Sequence, residues 1–251
     1  MSADQVPRTG RHPSLDNKHQ LSEKVASYVR EAIMIGELRA SEYIRTERLA
    51  ADLGISATPV REALMTLHSE GAVRWEPRRG FRVLPLTAQD VSDLFEVQAH
   101  IAGELAARAV DSLSDTEIER LQGVQDELEV AARARNVELV DRLNHEIHRT
   151  INKCSGSTKM TTLLNLMVHY VPLGFFGAID GWAEASAHDH SAIFNALRSR
   201  DRDDARLAMS EHILHIGRLL VENLQSRSVL SEPSENAAGS LSKPGLRSAH
   251  R

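Results

Sequence analysis

The stretch LNHEIHRTI, Leu143 to Ile151, holds two histidines and a glutamate. On one helix these are the ingredients of a zinc hydrolase. There, H-E-x-x-H puts two imidazoles a turn apart, with the glutamate beside the first as general base. Here His145 and His148 are three apart. On a wheel with Val140 at the origin and about 100° per residue, Val140, Leu143, Ile147 and Ile151 share one stripe. His148, at about 80°, borders that stripe, and Asn144, at about 40°, lies one turn before it on the same side. His145, at about 140°, and Glu146, at about 240°, point elsewhere. The hydrolase pattern fails on spacing and on direction. Asp141 and His145 are also four apart, but the same wheel turns both toward solvent.

Four further histidines lie in ASAHDHSAIFNALRSRDRDDARLAMSEHILHIG: His188, His190, His212 and His215. His188 and His190 are about 200° apart on a helix, so only one faces inward. His190 shares a side with Ile193, Phe194 and Leu197, and His212 neighbours Met209, Ile213 and Ile216. Three histidines at the edges of three apolar stripes, with the amide oxygen of Asn144, suit a divalent ion. The residue types alone fit another reading at least as well: three half-buried imidazoles bonded to backbone or water. The single cysteine, Cys154, excludes an intramolecular disulfide and a cysteine-based zinc site.

The elements that must carry these residues are almost all helical. Residues 1–18 and 226–251 are polar and read as a disordered arm and tail. Between them, periodicity and caps predict a helix over 21–35, a short one from Thr46 to Leu53 capped by Thr46, and a third capped by Ser56 or Thr58. Two β-like runs around EPRRG predict a hairpin. From Thr87 onward the pattern is helical throughout: 114–134, 137–154, 157–170, 184–199 and 201–225 follow a first long helix. TAQD and SDTE read as capping boxes. The fold class is therefore mostly α: a winged helix-turn-helix over 19–86, then an all-α antiparallel bundle over 87–225. The apolar run Thr161 to Ile179 is broken by Asn165, His169, Tyr170 and Pro172, so it reads as buried helix and turn, and no membrane partner is expected. No signal peptide is evident, and a cytoplasmic protein is expected.

The net charge of −5 argues against general affinity for nucleic acid. It is unevenly spread: residues 1–85 carry 13 Lys and Arg against 11 Asp and Glu, and the remainder 17 against 24. DNA binding would need a local basic surface. Arg45, Arg48, Arg61, Arg78 and Arg79 can supply one, with Ser56, Ala57 and Thr58 opening a recognition helix. The alternative is that these arginines pair with Glu42, Glu47 and Glu62.

The segment LAADLGISATPVREALMTLHSEGAVRWEPRRGFRV resembles the GntR family of bacterial winged-helix regulators, whose readers carry L-A-x-x-L-G-V-S-R-T-P-V-R-E-A-L, then L-x-x-E-G-L-V and P-x-R-G-x-x-V. The resemblance implies that Ser56, Thr58 and Arg61 face DNA, supported by Arg45, Arg48, Arg79 and Gly80. Ala57 replaces the usual arginine, and Ala40-Ser41 the usual Pro-Gly.

The helical part resembles the FCD effector domain of the FadR-like branch: Asn144, Ile147, His148, Ile151, Ser155 and Gly156 match one motif, Asp189, His190, Ile193, Ala196, Leu197 and Asp201 a second, Met209 and His212 a third. That resemblance implies a divalent metal held by Asn144, His148, His190 and His212. Zinc is the expected ion, with nickel or manganese as alternatives, and a small carboxylate effector would bind over it. Gln98 and Ala102 stand where the family has arginine and glutamate. The implied protein is a homodimeric transcription regulator, a repressor on an inverted-repeat operator in double-stranded DNA, and no enzyme. The alternatives are a regulator that answers to the metal alone, and an all-α metalloenzyme.

Overall fold

A computed structural model describes residues 13–171, 179 and 181–232. The chain begins with α1 (Pro13–Met34), then β1 (Tyr43–Ile44), α2 (Thr46–Asp52), α3 (Ala57–Ser69), β2 (Val73–Glu76) and β3 (Gly80–Val83). Apolar side chains on α3 step by three and four, Val60, Ala63, Leu64 and Leu67. All are buried against Val25, Ala26 and Val29 of α1 and against Val73, Phe81 and Val83 of the sheet. Arg30, buried on α1, donates to both carboxylate oxygens of Glu70 at 2.9 and 2.6 Å and ties α1 to the end of α3.

The three strands form an antiparallel sheet in the order β1-β3-β2, with Trp75 opposite Phe81 and Tyr43 opposite Arg82. The hairpin expected around EPRRG is β2 and β3. The third strand, β1, was not foreseen. It explains Gly80, whose φ is +101° and where a Cβ would lie 2.5 Å from the Ile44 carbonyl oxygen. Only glycine lets the wing close onto β1.

The second part is α4 (Ala88–Ala109), α5 (Asp115–Arg133), α6 (Val137–Cys154), α7 (Thr158–Val168), α8 (Trp182–Ser199) and α9 (Arg202–Ser226). Both halves of the box at Thr87 and Asp90 are present, whereas Ser114 accepts from the Glu117 amide without the reciprocal bond. α9 lies along α4, and also against α8, which packs on α5. The α4–α9 approach is close because glycines line it. A Cβ at Gly217 would fall 2.6–2.9 Å from the ring of Phe95, and one at Gly103 would fall 2.8 Å from the Arg206 carbonyl. These glycines fix the depth of α9 in the bundle.

Several expectations change. α1 starts at Pro13, within the arm expected to lack structure. Thr46 is the first residue of α2 and does not cap it; Arg45 holds the cap position. The tail expected to be structureless from Ser226 packs as far as it is described. Val229 and Leu230 join the bundle core, with Val229 against Gly36, and the Ser231 amide donates to the Leu86 carbonyl at 2.8 Å. Met34 at the end of α1 belongs to the same core. The helix predicted in the apolar run 161–179 is α7, with Leu163 and Leu166 exposed; residues 172–178 lie outside the described set.

Candidate metal centre and nucleic-acid interface

α6 carries the strong stripe its sequence announces. Val140, Leu143, Ile147 and Ile151 are buried, His148 is partly buried beside them, and His145 is exposed. On α8, His190 is fully buried beside Ile193, Phe194 and Leu197. On α9, His212 is 2% exposed between Met209 and Ile216. The three imidazoles meet. The Nε2 of His148 lies 3.3 Å from Nε2 of His190 and 3.2 Å from Nε2 of His212. All three ligand atoms lie within 4.8 Å of one another. Bonds of about 2.0–2.1 Å to one ion set imidazole nitrogens roughly 2.9–3.4 Å apart in cis-octahedral or tetrahedral geometry, and both distances from His148 fall in that range.

The protonation state fits as well. Burial, then the neighbouring His212 and His145, push His148 down to about 3. Burial and the other two rings hold His190 well below its ordinary range. Burial lowers His212 too, partly opposed by Asp189. Neutral imidazole is the form that ligates a metal. The Oδ1 of Asn144 is buried and makes no hydrogen bond among the described residues. A buried acceptor without a donor costs about 1–3 kcal/mol, and a cation beside His148 would satisfy it. A histidine triad and an amide oxygen suit zinc or another borderline divalent ion.

The other histidines stay outside. His188 is 89% exposed, and His215 donates from Nδ1 to Asp189 at 2.8 Å. Glu146 pairs with Arg120 across α5 and α6 at 2.5 Å. Two residues that the spacing did not single out touch it from behind. Gln125 on α5 lies 2.7 Å from Nδ1 of His190, and Asp189 lies 3.3 Å from Nδ1 of His212. Gln125 is 65 residues from its partner, so only the packing of α5 on α8 shows the contact.

The basic residues of the first part gather at a different place. A hollow of about 600 Å³ is lined by Arg45, Arg61, Arg78, Arg79 and Gly80, with the exposed indole of Trp75 beside them. Arg48 does not line it and faces Asp52 at 3.8 Å. Arg61 faces Glu47 at 3.5 Å with both side chains largely exposed, so the pair is weak and both groups stay free to rearrange. Ser56 caps α3 by position only; its hydroxyl makes no cap bond and is exposed, as is Thr58. Ala57 is half-buried against the core. Arg79 donates to the Tyr43 hydroxyl at 3.2 Å and lies over that ring, and Tyr43 donates to Glu76 at 2.7 Å. Tyr43 thus braces the wing from β1, a role with no signal in the sequence. Arg45 and Thr46 at the start of α2, Arg61 of α3 and the wing arginines frame one concave surface on which four arginines outnumber Glu47 and Glu76, while Ser56 and Thr58 lie outside its lining. Such a surface suits a phosphate backbone and a groove edge.

Comparison with known proteins follows the same division. Residues 21–83 match the bacterial regulatory proteins, gntR family, and residues 93–215 match the FCD domain. The chain is 26% identical over 193 residues to the uncharacterized HTH-type transcriptional regulator YdhC of Bacillus subtilis, covering 74% of this chain and 85% of the relative. It is 26% identical over 223 residues to the HTH-type transcriptional regulator McbR of Escherichia coli, covering 82% and 93%. It is 25% identical over 187 residues to the gluconate operon transcriptional repressor of Bacillus licheniformis, covering 72% and 76%. The solved structure of Escherichia coli McbR superposes with a TM-score of 0.62 at 22% identity, covering 81% of this chain and 98% of that one.

Proposed function

This chain belongs to the gntR family of bacterial regulatory proteins and carries an FCD domain behind its reader, and from that premise we infer how it regulates. It is a DNA-binding transcription regulator and no enzyme. The finer reading is a homodimeric repressor on an inverted-repeat operator. Its hold on DNA is set by a small organic acid bound beside a divalent ion, zinc first, at Asn144, His148, His190 and His212. Repression is supported by the name of the gluconate operon relative.

The observation that carries the effector reading is the gathering of three neutral imidazoles, with an unsatisfied amide oxygen one turn before His148 on α6. A divalent ion held there supplies a fixed positive charge for an anionic ligand. The protein's own contribution is to hold three lone pairs in register and to keep water from the buried rings. Gln98 adds a second polar group: it is 5% exposed on the inner stripe of α4, and its Nε2 makes no hydrogen bond among the described residues. A ligand oxygen would satisfy it.

The route to the reader runs along α9. This helix carries His212, and the segment just beyond its end rests on Gly36 and bonds the linker at Leu86. A ligand that draws α9 toward one position biases both contacts at once. If it binds the DNA-incompetent state more tightly, it empties the operator by population shift.

The test is footprinting of full-length protein on the DNA flanking its own gene, with and without a panel of small carboxylates chosen by thermal shift. Protection of an inverted repeat that one carboxylate releases is expected. No protected repeat at physiological salt would refute the repressor reading. Release by added zinc alone, with no response to any carboxylate, would replace the effector reading with metal sensing.

A further inference from the structure

Three Nε2 atoms can ligate one ion only when each ring carries its proton on the far side, at Nδ1. We propose that Gln125 and Asp189 are positioning residues that fix His190 and His212 as their Nδ1–H tautomers, leaving both Nε2 lone pairs aimed at the same point. The inference rests on the metal-centre reading above and explains how the apo fold prepares it.

Gln125 lies on the inner stripe of α5, between Leu121 and Leu128, and is 1% exposed. An amide buried in an apolar stripe needs partners for both ends. Its Nε2 donates to Glu129 Oε1 at 3.3 Å, which turns its Oε1 toward His190 Nδ1 at 2.7 Å. An amide oxygen only accepts, so Nδ1 must carry the proton. In a neutral ring Nε2 is then bare. Asp189 repeats the arrangement for His212. Its carboxylate accepts from Nδ1 of His212 at 3.3 Å and from Nδ1 of His215 at 2.8 Å. Adjacent residues of α8 thus serve different roles. His190 turns inward as a ligand, while Asp189 turns toward α9 and orients the ligand carried there.

Two bare Nε2 atoms then face His148 Nε2 at 3.3 and 3.2 Å. The Ser186 hydroxyl, 3.5 Å from Nε2 of His190, is a second donor there, and a cation would take all three lone pairs at once. The two supports also differ. His212 is backed by a carboxylate and His190 by a neutral amide, so His212 is the more basic ligand.

Ring tautomers can be read directly from long-range proton–nitrogen correlations of ¹⁵N-labelled, metal-stripped full-length protein. His190 and His212 are expected as Nδ1–H; an Nε2–H form at either ring overturns the proposal and requires no variant. In parallel, zinc alone is titrated into wild type, Gln125→Met, Asp189→Ala and the exchanged pair Gln125→Glu with Glu129→Gln. The two single variants should bind zinc about 10–100-fold more weakly. The exchanged pair, which restores an acceptor for His190, should recover most of the loss. Undiminished affinity in Gln125→Met and Asp189→Ala would also overturn the proposal, as would an exchanged pair no better than Gln125→Met. Should the wild type bind no zinc, the metal reading fails by itself, and the tautomers still decide whether Gln125 and Asp189 orient the rings.

Discussion

Nε2 of His148 lies 3.2 Å from Nε2 of His212, although 64 residues separate them and they sit on different helices, α6 and α9. α9 also leads into the segment that packs beside Gly36 and bonds Leu86. The proposed centre and the linker are therefore joined through one helix, whose depth in the bundle the glycine contacts of α4 and α9 set.

The neutral oxygen at Asn144 should limit the affinity of the centre. Asn144→Asp adds a negative charge where the proposed ion would sit, and zinc should tighten by about tenfold, some 1.4 kcal/mol. Competition with a chromophoric chelator measures it. Unchanged affinity would place the Asn144 oxygen outside the ligand set.

Arg61 lines the basic hollow and faces Glu47 in an exposed contact at 3.5 Å. Arg61→Ala should cost about 1–3 kcal/mol of specific DNA affinity with no change in melting temperature. Anisotropy titrations on the footprinted repeat and on scrambled DNA separate a base contact from a phosphate contact. The former relaxes specificity; the latter weakens both sequences alike and flattens the salt slope. An affinity that does not move would defeat the orientation assigned to α3.

Gly80→Ala should damage the wing. The added Cβ would lie 2.5 Å from the Ile44 carbonyl, at a φ that side chains rarely adopt. A loss of roughly 1–3 kcal/mol is expected for such strain, read in chemical denaturation as a lower midpoint. DNA affinity should fall with it, because Arg78 and Arg79 sit on the displaced tip. A variant as stable as wild type would mean that β1 and β3 can separate at little cost.

Val229→Asp tests the clasp between α9 and the reader. The variant places a charge against Gly36 and the bundle core, where Val229 packs. Operator binding should persist, while the effector found by thermal shift should lose most of its influence on it, a coupling of about 1–3 kcal/mol in such systems. Effector release as strong as in wild type would send the coupling along another path.

Much of this was legible in the chain itself. The stripe of α6 is strong enough that a wheel alone separates His148 from His145, and the structure keeps them apart. Helix limits from α2 to α9 agree with caps and periodicity to within a residue or two, because each segment is amphipathic over several turns. The mostly α fold with a winged reader follows from the same patterns. What was hidden depends on tertiary contact. β1 is two residues long, too short for any alternation. Gln125 looks like any polar residue on an amphipathic helix until α8 is laid against it. The segment around Val229 has the composition of a loose tail. It is placed by Val229 beside Gly36, by Leu230 on the bundle core and by the Ser231 amide on the Leu86 carbonyl, partners far from it in sequence.

Two histidines three residues apart differ in whether they face the proposed centre, and elemental analysis of purified protein reads that difference. Wild type and His145→Ala should each carry about one zinc per chain, while His148→Ala should carry none. At metal concentrations 100–1,000 times the dissociation constant, losing the ion removes roughly 3–4 kcal/mol of folded-state stabilisation, so His148→Ala should also melt lower. His145→Ala should melt with wild type. Equal metal loss from both variants, or a metal-free wild type after reconstitution, would contradict the assignment of the centre.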